Sequence, residues 1–497
     1  MKSVIDLLTI RCAMKKNLMR FLTICHPVGV LLAFAPILPL FNVHTMTISA
    51  SKIAQPTTDL KFQPVVTAIE AQMKAQDVPG LAIVIVQNGK VTFQRGFGVR
   101  NTETKDPVTP ATLFRIGSTT KPLTVIGVMQ LVEAGKVELD EPVVNYVPEF
   151  KVNPKITVRQ IISHSSGLAD GGEPYGRIDA AALKDYVTSL TPKSAFAPPQ
   201  TVLSYSNPAF SVAGRLIEQV SGMNYADYMD KTVFPALGMA RTTLLPNVAL
   251  TYPLAVGYQP GKAGLETVRP NPDNVAEYPA GFVFSSVEDL SRLVLFLLQD
   301  GKLDGKTVLS ASSMQAMKTP VLKIASLNVG YGLGLIVEPK NDNITNIGHD
   351  GSINGYSAAL QTIPSQKFGI VILANKVGFN STPILEAATQ SLLKLPKPNP
   401  APPIKLDNTA LKAYTGNYAV SGITGKLGTL AIVLEQGKLK TKFAGQPDLE
   451  LRSLRPDTFG VFLGNTQIGN AAFLRDKTGK ITFLNYGLRA YPRLGDR

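Results

Sequence analysis

Cysteine and histidine are both scarce in this chain of 497 residues. Its two cysteines, Cys12 and Cys25, lie close to the N-terminus, so the rest of the chain has none with which to form a disulfide. Downstream of the first 54 residues, His164 and His349 are the two histidines that remain. Carboxylates alone would have to complete a metal site around them, and the sequence therefore predicts neither a metal nor another cofactor.

Sequence signatures of two other enzyme classes are missing as well. The chain has no G-x-S-x-G segment, which argues against the nucleophile elbow of an α/β-hydrolase. It has no G-x-x-x-x-G-K-[ST] loop, so the phosphate cradle needed for nucleotide hydrolysis is absent from the sequence. Neither chemistry is expected of this protein.

The N-terminal segment has the composition of a targeting signal. Five Lys and Arg residues within the first 20 positions precede an apolar run of 14 residues at 28–41. This run is short for a membrane span and has the length of a signal-peptide core. We therefore expect residues 1–54 to be a signal peptide, or an uncleaved anchor that would be the protein's one membrane contact. Export to the periplasm or the medium follows from either.

What the chain does contain is an ordered set of three short motifs. These are Ser118-x-x-Lys121, Tyr205-x-Asn207 and His349-x-Gly351. The S-x-x-K pattern also occurs elsewhere in the chain, as at Ser49 and Lys52 in the N-terminal segment, whereas Y-x-N and H-x-G each occur once in the chain. Their order, downstream of Ser118 in one continuous globular region, predicts an enzyme that transfers acyl groups through a serine.

The first motif supplies a nucleophile and a base. A serine hydroxyl is a weak nucleophile until a base lies within hydrogen-bond reach. Residues three apart share a face of a helix, so Lys121 can point at the Ser118 oxygen. Pro122 places Ser118 at or near the N-cap, where its backbone N–H is a natural oxyanion donor. The residues that follow, up to Gly135, are apolar on nearly every side, which predicts a buried helix and a lowered pKa for Lys121.

The second motif admits two interpretations. Asn207 followed by Pro208 is a common helix start with the amide as N-cap, and Tyr205 taken alone is more often a core residue. Downstream of an S-x-x-K helix, the pair instead predicts a phenol that relays the Ser118 proton. The amide would then hold the Lys121 ammonium or a substrate carbonyl.

The third motif precedes predicted antiparallel strands at 356–363 and 368–374. Gly351 would let a substrate lie close to the backbone, and the N–H of Ser352 would be a second oxyanion donor. The alternative for His349 is a histidine at a strand end with a structural hydrogen bond.

With these motifs the chain resembles the penicillin-recognising serine hydrolases, over roughly residues 60–395. It is most similar to the branch of class C β-lactamases, DD-peptidases, class VIII-type esterases and D-aminopeptidases, because Y-x-N stands where class A enzymes have S-D-N. The segments 80–86, 88–89 and 161–168 match the usual pattern of the family. The roles implied by the resemblance are nucleophile for Ser118, base pair for Lys121 and Tyr205, and substrate and proton-shuttle contacts for Asn207 and His349.

One departure from the family pattern bears on the substrate. β-Lactamases of this branch carry K-T-G at the third motif, where the cation and the hydroxyl hold a substrate carboxylate, whereas this chain has His349-Asp350-Gly351. A histidine is only partly charged at neutral pH, and the aspartate would repel a carboxylate. An ester or a D-amino-acid amide or peptide is therefore expected ahead of a β-lactam, with Asp350, Gly351 and Ser352 among the substrate-binding residues.

His164 is expected to have a structural role. Thr157 and Gln160 form a capping-box pattern at the start of a short helix. His164 falls at the end of that helix, just before the turn at Gly167.

The distribution of strands and helices indicates an α+β fold. Strands near both ends of the catalytic region are separated by helix-rich sequence, so an antiparallel sheet flanked by helices must join distant segments, with an all-helical lobe inserted. We expect a serine hydrolase domain of the β-lactamase/transpeptidase-like type at residues 56–394 and a Pro-rich linker at 395–404. Residues 405–497 are predicted to form a small β-barrel that resembles the lipocalin-like domain of some relatives.

Charge is distributed unevenly between these regions. Residues 400–497 hold 14 Lys and Arg against 7 Asp and Glu, whereas residues 56–399 hold 30 against 28. The basic C-terminal region suits an acidic cell-envelope polymer or a membrane surface, and it equally suits a merely soluble barrel. Nucleic acid is a poor partner for an exported enzyme, so a small molecule or peptide is expected as substrate. Two alternatives to an enzyme remain, namely an inactive binding or sensor protein on the same fold and a polymer-binding protein.

Overall fold

A computed structural model describes residues 60–324, 327–341, 343–395 and 403–495. The predicted N-terminal targeting segment and most of the Pro-rich linker lie outside these ranges. Among the helices of the described ranges, none is both long and apolar enough to cross a membrane.

An eight-stranded antiparallel sheet forms the centre of the first domain. Leu81 near the start of the domain pairs with Ala374 near its end, so the sheet joins distant segments, as the sequence predicts. In spatial order the strands are β2 (Lys90–Gly98), β1 (Gly80–Gln87), β14 (Phe368–Ala374), β13 (Tyr356–Ile363), β12 (Ile344–Ile353), β11 (Ile336–Asn341), β10 (Val329–Tyr331) and β9 (Leu322–Ile324).

Three pairs of short strands lie outside this sheet. They are β3 (Phe114–Arg115) with β6 (Phe284–Ser285), β4 (Tyr258–Gly261) with β5 (Gly264–Thr267), and β7 (Lys302–Leu303) with β8 (Lys306–Thr307).

Helices cover both faces of the large sheet. Successive side chains of a strand point to opposite faces, and in β1 Ile83 belongs to one hydrophobic core while Val84 belongs to the other. The helices of this domain are α1 (Gln63–Ala75), α2 (Thr120–Glu133), α3 (Val158–Ile162), α4 (Ala182–Ser189), α5 (Asn207–Ser221), α6 (Tyr225–Tyr228), α7 (Phe234–Leu237), α8 (Pro246–Ala249), α9 (Tyr278–Gly281), α10 (Val287–Leu298), α11 (Ala311–Lys318) and α12 (Thr382–Leu393).

The two cores differ in what they contain. Helices α1 and α12 pack together on one face of the sheet, through residues such as Val65 and Ile384. On the other face α10 lies against the sheet, and the larger core extends from it into a lobe formed by α2 to α7 and α9. Helix α2 is buried along nearly its whole length, as its sequence predicts. It lies at the centre of this lobe, where its first turn meets strand β12.

A second eight-stranded sheet forms the C-terminal domain. It curls so that Tyr418 in the first strand lies opposite Arg493, just after the last, and it encloses a hydrophobic core of its own. The α+β class and the small C-terminal barrel predicted from sequence are thereby confirmed. The elements are α13 (Asn408–Lys412), β15 (Gly416–Gly422), β16 (Gly425–Glu435), β17 (Lys438–Lys442), β18 (Glu450–Arg455), β19 (Thr458–Leu463), β20 (Thr466–Arg475), β21 (Ile481–Tyr486) and β22 (Arg489–Pro492).

Candidate active site

The first two sequence motifs meet at the hydroxyl of Ser118. This residue lies in a 3₁₀ turn, Gly117–Thr119, that leads directly into α2. Tyr205 Oη donates to Ser118 Oγ at 2.7 Å, and Lys121 Nζ lies 3.1 Å from the same oxygen. Ser118 is partly exposed although its neighbours in the turn are buried. A substrate can therefore reach the hydroxyl while its two partners remain shielded from water.

Lys121 is fully buried and its amine has three oxygen neighbours. Besides Ser118 Oγ, these are Asn207 Oδ1 at 2.7 Å and the carbonyl oxygen of Ala280 at 2.6 Å. The rings of Tyr205 and Phe210 lie 4.7 and 5.2 Å from Nζ and exclude water. Burial lowers the pKa of Lys121 to about 7, which confirms the direction expected from its place in an apolar helix.

Asn207 occupies the first position of α5 rather than its N-cap. The N-cap is Ser206, whose side chain accepts from the Ala209 N–H, and Pro208 follows one position later in the first turn. The alternative interpretation of Asn207 as a capping residue is therefore wrong by one position. The side-chain oxygen of Asn207 does not cap the helix and instead accepts a hydrogen bond from Lys121 Nζ.

His349 lies inside strand β12 rather than ahead of the strands, and its two ring nitrogens already have protein partners. Nδ1 lies 2.6 Å from the Asp350 carbonyl oxygen, which can only accept, so Nδ1 carries the hydrogen. Nε2 then accepts from Tyr331 Oη at 3.0 Å. Burial lowers the pKa of His349 to about 3, so the imidazole is neutral. This arrangement leaves neither nitrogen for the substrate contact that the family resemblance implies.

The third motif lies directly against the turn that holds Ser118. A Cβ on Gly351 would be 1.9 Å from the Ile116 carbonyl oxygen, so only glycine fits there. A Cβ on Gly117, whose φ is +53°, would be 2.6 Å from the Ser352 nitrogen. The Ser352 backbone is therefore close to the residue before Ser118, and the backbone N–H groups of Ser118 and Ser352 are the candidate oxyanion donors.

Asp350 does not share the face of its neighbours in β12. Alternate residues of a strand point to opposite sides, and His349 and Gly351 face the buried side while Asp350 is exposed. The repulsion of a substrate carboxylate that the sequence suggests for Asp350 would therefore act from the far side of the strand.

His164 packs behind Tyr205. It follows α3, which begins with the predicted capping box of Thr157 and Gln160. Its Nδ1 accepts from the Ser206 N–H at 3.1 Å, and its ring centre lies 4.3 Å from that of Tyr205. Burial holds the pKa of His164 well below its usual value, so this ring is also neutral. These contacts fit the structural role expected for it.

Four groups of the site were not found by sequence reasoning. Tyr331 lies in a Gly-rich segment, 330–334, whose two flanking glycines were a local signal that this stretch is unusual. The Ala280 carbonyl carries no side-chain signal at all. Asp170 and Arg489 form an ion pair beside Tyr205, and their separation of 319 residues leaves no sequence pattern to detect.

The described part of the chain contains no group of three or more His, Cys, Asp or Glu side chains placed to hold a metal ion.

Known proteins are similar to this chain in sequence and in fold. A family model described as Beta-lactamase matches residues 65–393. Protein flp of Staphylococcus aureus (strain MRSA252) is 26% identical over 322 residues, which are 63% of this chain and 62% of that protein. Penicillin-binding protein 4 of Amycolatopsis lactamdurans is 30% identical over 315 residues, 60% of this chain and 81% of that protein.

Among solved structures, the crystal structure of SurE with D-Leu superimposes with a TM-score of 0.69 at 25% identity. The superposition covers 88% of this chain and 100% of that one, so it includes most of the C-terminal barrel as well as the first domain.

Proposed function

Because this chain belongs to the beta-lactamase family, with a match over residues 65–393, we propose that it is a serine hydrolase that forms an acyl-enzyme on Ser118. The observation that carries the proposal is the convergence of Tyr205 Oη and Lys121 Nζ on one serine oxygen, at 2.7 and 3.1 Å. The substrate is an ester or a D-amino-acid amide or peptide, ahead of a β-lactam. We also propose that the protein is exported.

Lys121 is the base in this proposal. A neutral amine has two N–H groups, which suffice for Asn207 Oδ1 and the Ala280 carbonyl, and one lone pair, which is left for the Ser118 proton. Tyr205 donates to the Ser118 oxygen, so the serine hydrogen points toward the lysine. Burial raises the pKa of Tyr205, and the phenol therefore keeps its proton in the resting site.

Acylation then proceeds in two proton transfers. Ser118 Oγ bonds to the substrate carbonyl carbon while its hydrogen passes to Lys121 Nζ. The N–H groups of Ser118 and Ser352 stabilise the oxyanion. The leaving alkoxide or amine departs with a proton returned from Lys121 through Tyr205. Water next attacks the acyl carbon and gives a proton to Lys121. The bond between the acyl carbon and Ser118 Oγ then breaks, the acid is released, and Ser118 Oγ takes the proton back from Lys121.

The substrate ranking rests on the absence of a cation at the third motif. His349 is neutral because burial lowers its pKa to about 3, so it cannot hold the carboxylate of a β-lactam as a lysine would. Asp350 contributes less to the ranking than its sequence suggests, because it alternates in β12 with Gly351, the residue that faces the turn of Ser118. The structural neighbour that was crystallised with D-Leu supports a D-amino-acid substrate.

A panel of chromogenic substrates tests the proposed function. The purified protein is assayed with short p-nitrophenyl esters, a D-alanyl p-nitroanilide and a chromogenic cephalosporin, with Ser118→Ala as the blank. Turnover of an ester or the anilide at a kcat/KM above that of the cephalosporin is expected. If the cephalosporin is turned over best, the substrate ranking is reversed. If the wild-type protein and the Ser118→Ala blank give equal rates, the proposed hydrolase activity is wrong.

The pH dependence of kcat/KM is expected to report Lys121. The amine must be neutral to accept a proton, so kcat/KM should fall below an apparent pKa of about 7 and level off above it. The lowered pKa values of His164 and His349 take both histidines out of this range. Burial raises the pKa of Glu277 to about 8, so this carboxyl is one competing explanation. The Glu277→Gln variant should keep this acid limb, the fall of kcat/KM at low pH. If the variant no longer shows the acid limb, the titrating group is Glu277 rather than Lys121.

A further inference from the structure

The turn between β21 and β22 of the C-terminal barrel contacts the second catalytic motif. The Tyr205 N–H donates to the carbonyl oxygen of Leu488 at 2.7 Å. The Ala490 N–H donates to Ser204 Oγ at 3.1 Å, one residue before the catalytic tyrosine. The position of Tyr205 thus depends on a domain that lies outside the family match, which ends at residue 393.

Arg489 extends from the same turn into the site. Its Nε donates to Asp170 Oδ2 at 2.6 Å, and its guanidinium carbon lies 5.1 Å from the centre of the Tyr205 ring. The two paired side chains are 24% and 17% exposed, so the pair is largely withdrawn from solvent. Asp170 Oδ1 accepts from the Asn207 N–H at 2.8 Å. A single ion pair therefore touches both residues of the second motif.

We propose that Arg489 is a positioning residue of the catalytic centre, supplied by the barrel and acting through Asp170 and Tyr205. Two guanidinium nitrogens lie within 2.6 Å of the same Asp170 oxygen, so the pair is a short, charge-assisted contact. It joins the barrel turn to the start of α5, where Asn207 holds Lys121. The inference rests on the proposed function, because a positioned tyrosine matters only if Ser118 reacts.

The ion pair also places one charge of each sign near Lys121. Burial is the main cause of the lowered pKa of Lys121, about 7; Asp170 raises this pKa and Arg489 lowers it. Removing the charge of Arg489 should therefore raise the pKa of Lys121 and move the low-pH fall in rate to higher pH. Removing the charge of Asp170 should move it to lower pH. The groups that face Lys121 from the surrounding elements are Ser118, Asn207, the Ala280 carbonyl, the rings of Tyr205 and Phe210, and the titratable groups of Asp170, Glu277, Arg489, His164 and His349.

The test is the second-order rate constant for labelling of the full chain by a fluorophosphonate probe, measured against pH. Arg489→Met should lower the plateau by about 10²-fold, the loss typical of a displaced catalytic group, and should move the midpoint of the acid limb to higher pH. Asp170→Asn should move the midpoint to lower pH. Arg489→Lys keeps the positive charge but loses the planar set of guanidinium donors. Its midpoint should therefore equal that of the wild-type protein, whereas its plateau should lie between those of the wild-type and Arg489→Met proteins.

Arg475→Met is the matched control, because Arg475 pairs with Asp457 within the barrel at 2.8 Å. It lies at the end of β20 that pairs with Ile481, opposite to the end of β21 that leads into the turn. The variant should leave the plateau and the midpoint unchanged. A merely structural role for Arg489 would lower the plateau and move no midpoint, which would overturn the inference. If the unpaired carboxylate of Asp170 prevents Arg489→Met from folding, the double variant Arg489→Met/Asp170→Asn replaces it, and a wild-type plateau there would also overturn the inference.

The two proposals fail in different ways. A wild-type protein that is not labelled at Ser118 removes the proposed function. A wild-type protein that is labelled, together with an Arg489→Met variant of unchanged plateau and midpoint, leaves the function intact and removes Arg489 from the catalytic centre.

Discussion

Replacement of Ser118 by alanine is expected to lower kcat by about 10⁶-fold on whichever ester or anilide the protein turns over, because the nucleophile acts as a unit with its base. Ser118 Oγ is the atom on which Tyr205 and Lys121 converge. The residue is partly exposed in a short turn, so loss of the hydroxyl should leave the fold intact. Steady-state kinetics gives the loss, and the thermal unfolding midpoint reports the fold.

Ser312→Ala is the control for this loss. Ser312 is an exposed serine on α11, away from the three motifs, and its replacement should leave kcat unchanged. A Ser118→Ala protein that keeps its fold and retains a tenth or more of the activity would assign the nucleophile to another residue.

Lys121→Ala and Tyr205→Phe are each expected to lower kcat/KM by about 10²–10⁴-fold, the range for a lost acid–base group. In the proposed mechanism Lys121 takes the Ser118 proton and Tyr205 returns it to the leaving group, so the two would form one relay. Removing either member already breaks that relay, and the loss in the double variant should be much smaller than the product of the single losses. The measurement is a double-mutant cycle on kcat/KM at a pH above the acid limb.

Lys136→Ala serves as the matched control of the cycle, because Lys136 is exposed just beyond the end of α2. It should have wild-type kcat/KM. Losses that multiply fully in the Lys121→Ala/Tyr205→Phe protein would mean that the two groups act in separate steps, and the relay would be wrong.

The sequence predicts the local parts of this site well, because the information for them is local. The apolar positions around α2 require a buried helix, and a buried helix fixes Lys121 one turn from Ser118 and lowers its pKa. The capping box of Thr157 and Gln160 is likewise a short-range pattern, and it forms as expected.

The parts that were missed depend on contacts between distant segments. His349 is in a strand interior, although Gly348 and Gly351 give that stretch the composition of a turn, because the glycines are needed for close backbone approach to Leu360 and Ile116. No sequence motif identifies Arg489, because the arginine reaches the site only through the packing of the barrel beside Tyr205.

The most direct test of the central claim is the site of covalent modification. The purified protein is treated with a fluorophosphonate probe, and tandem mass spectrometry of the digest locates the adduct. If Ser118 is the nucleophile, the chain should carry one adduct, on the peptide that holds Ser118, and the Ser118→Ala protein should carry none. An adduct on a different serine, or an unmodified protein under conditions that label other serine hydrolases, would contradict this assignment.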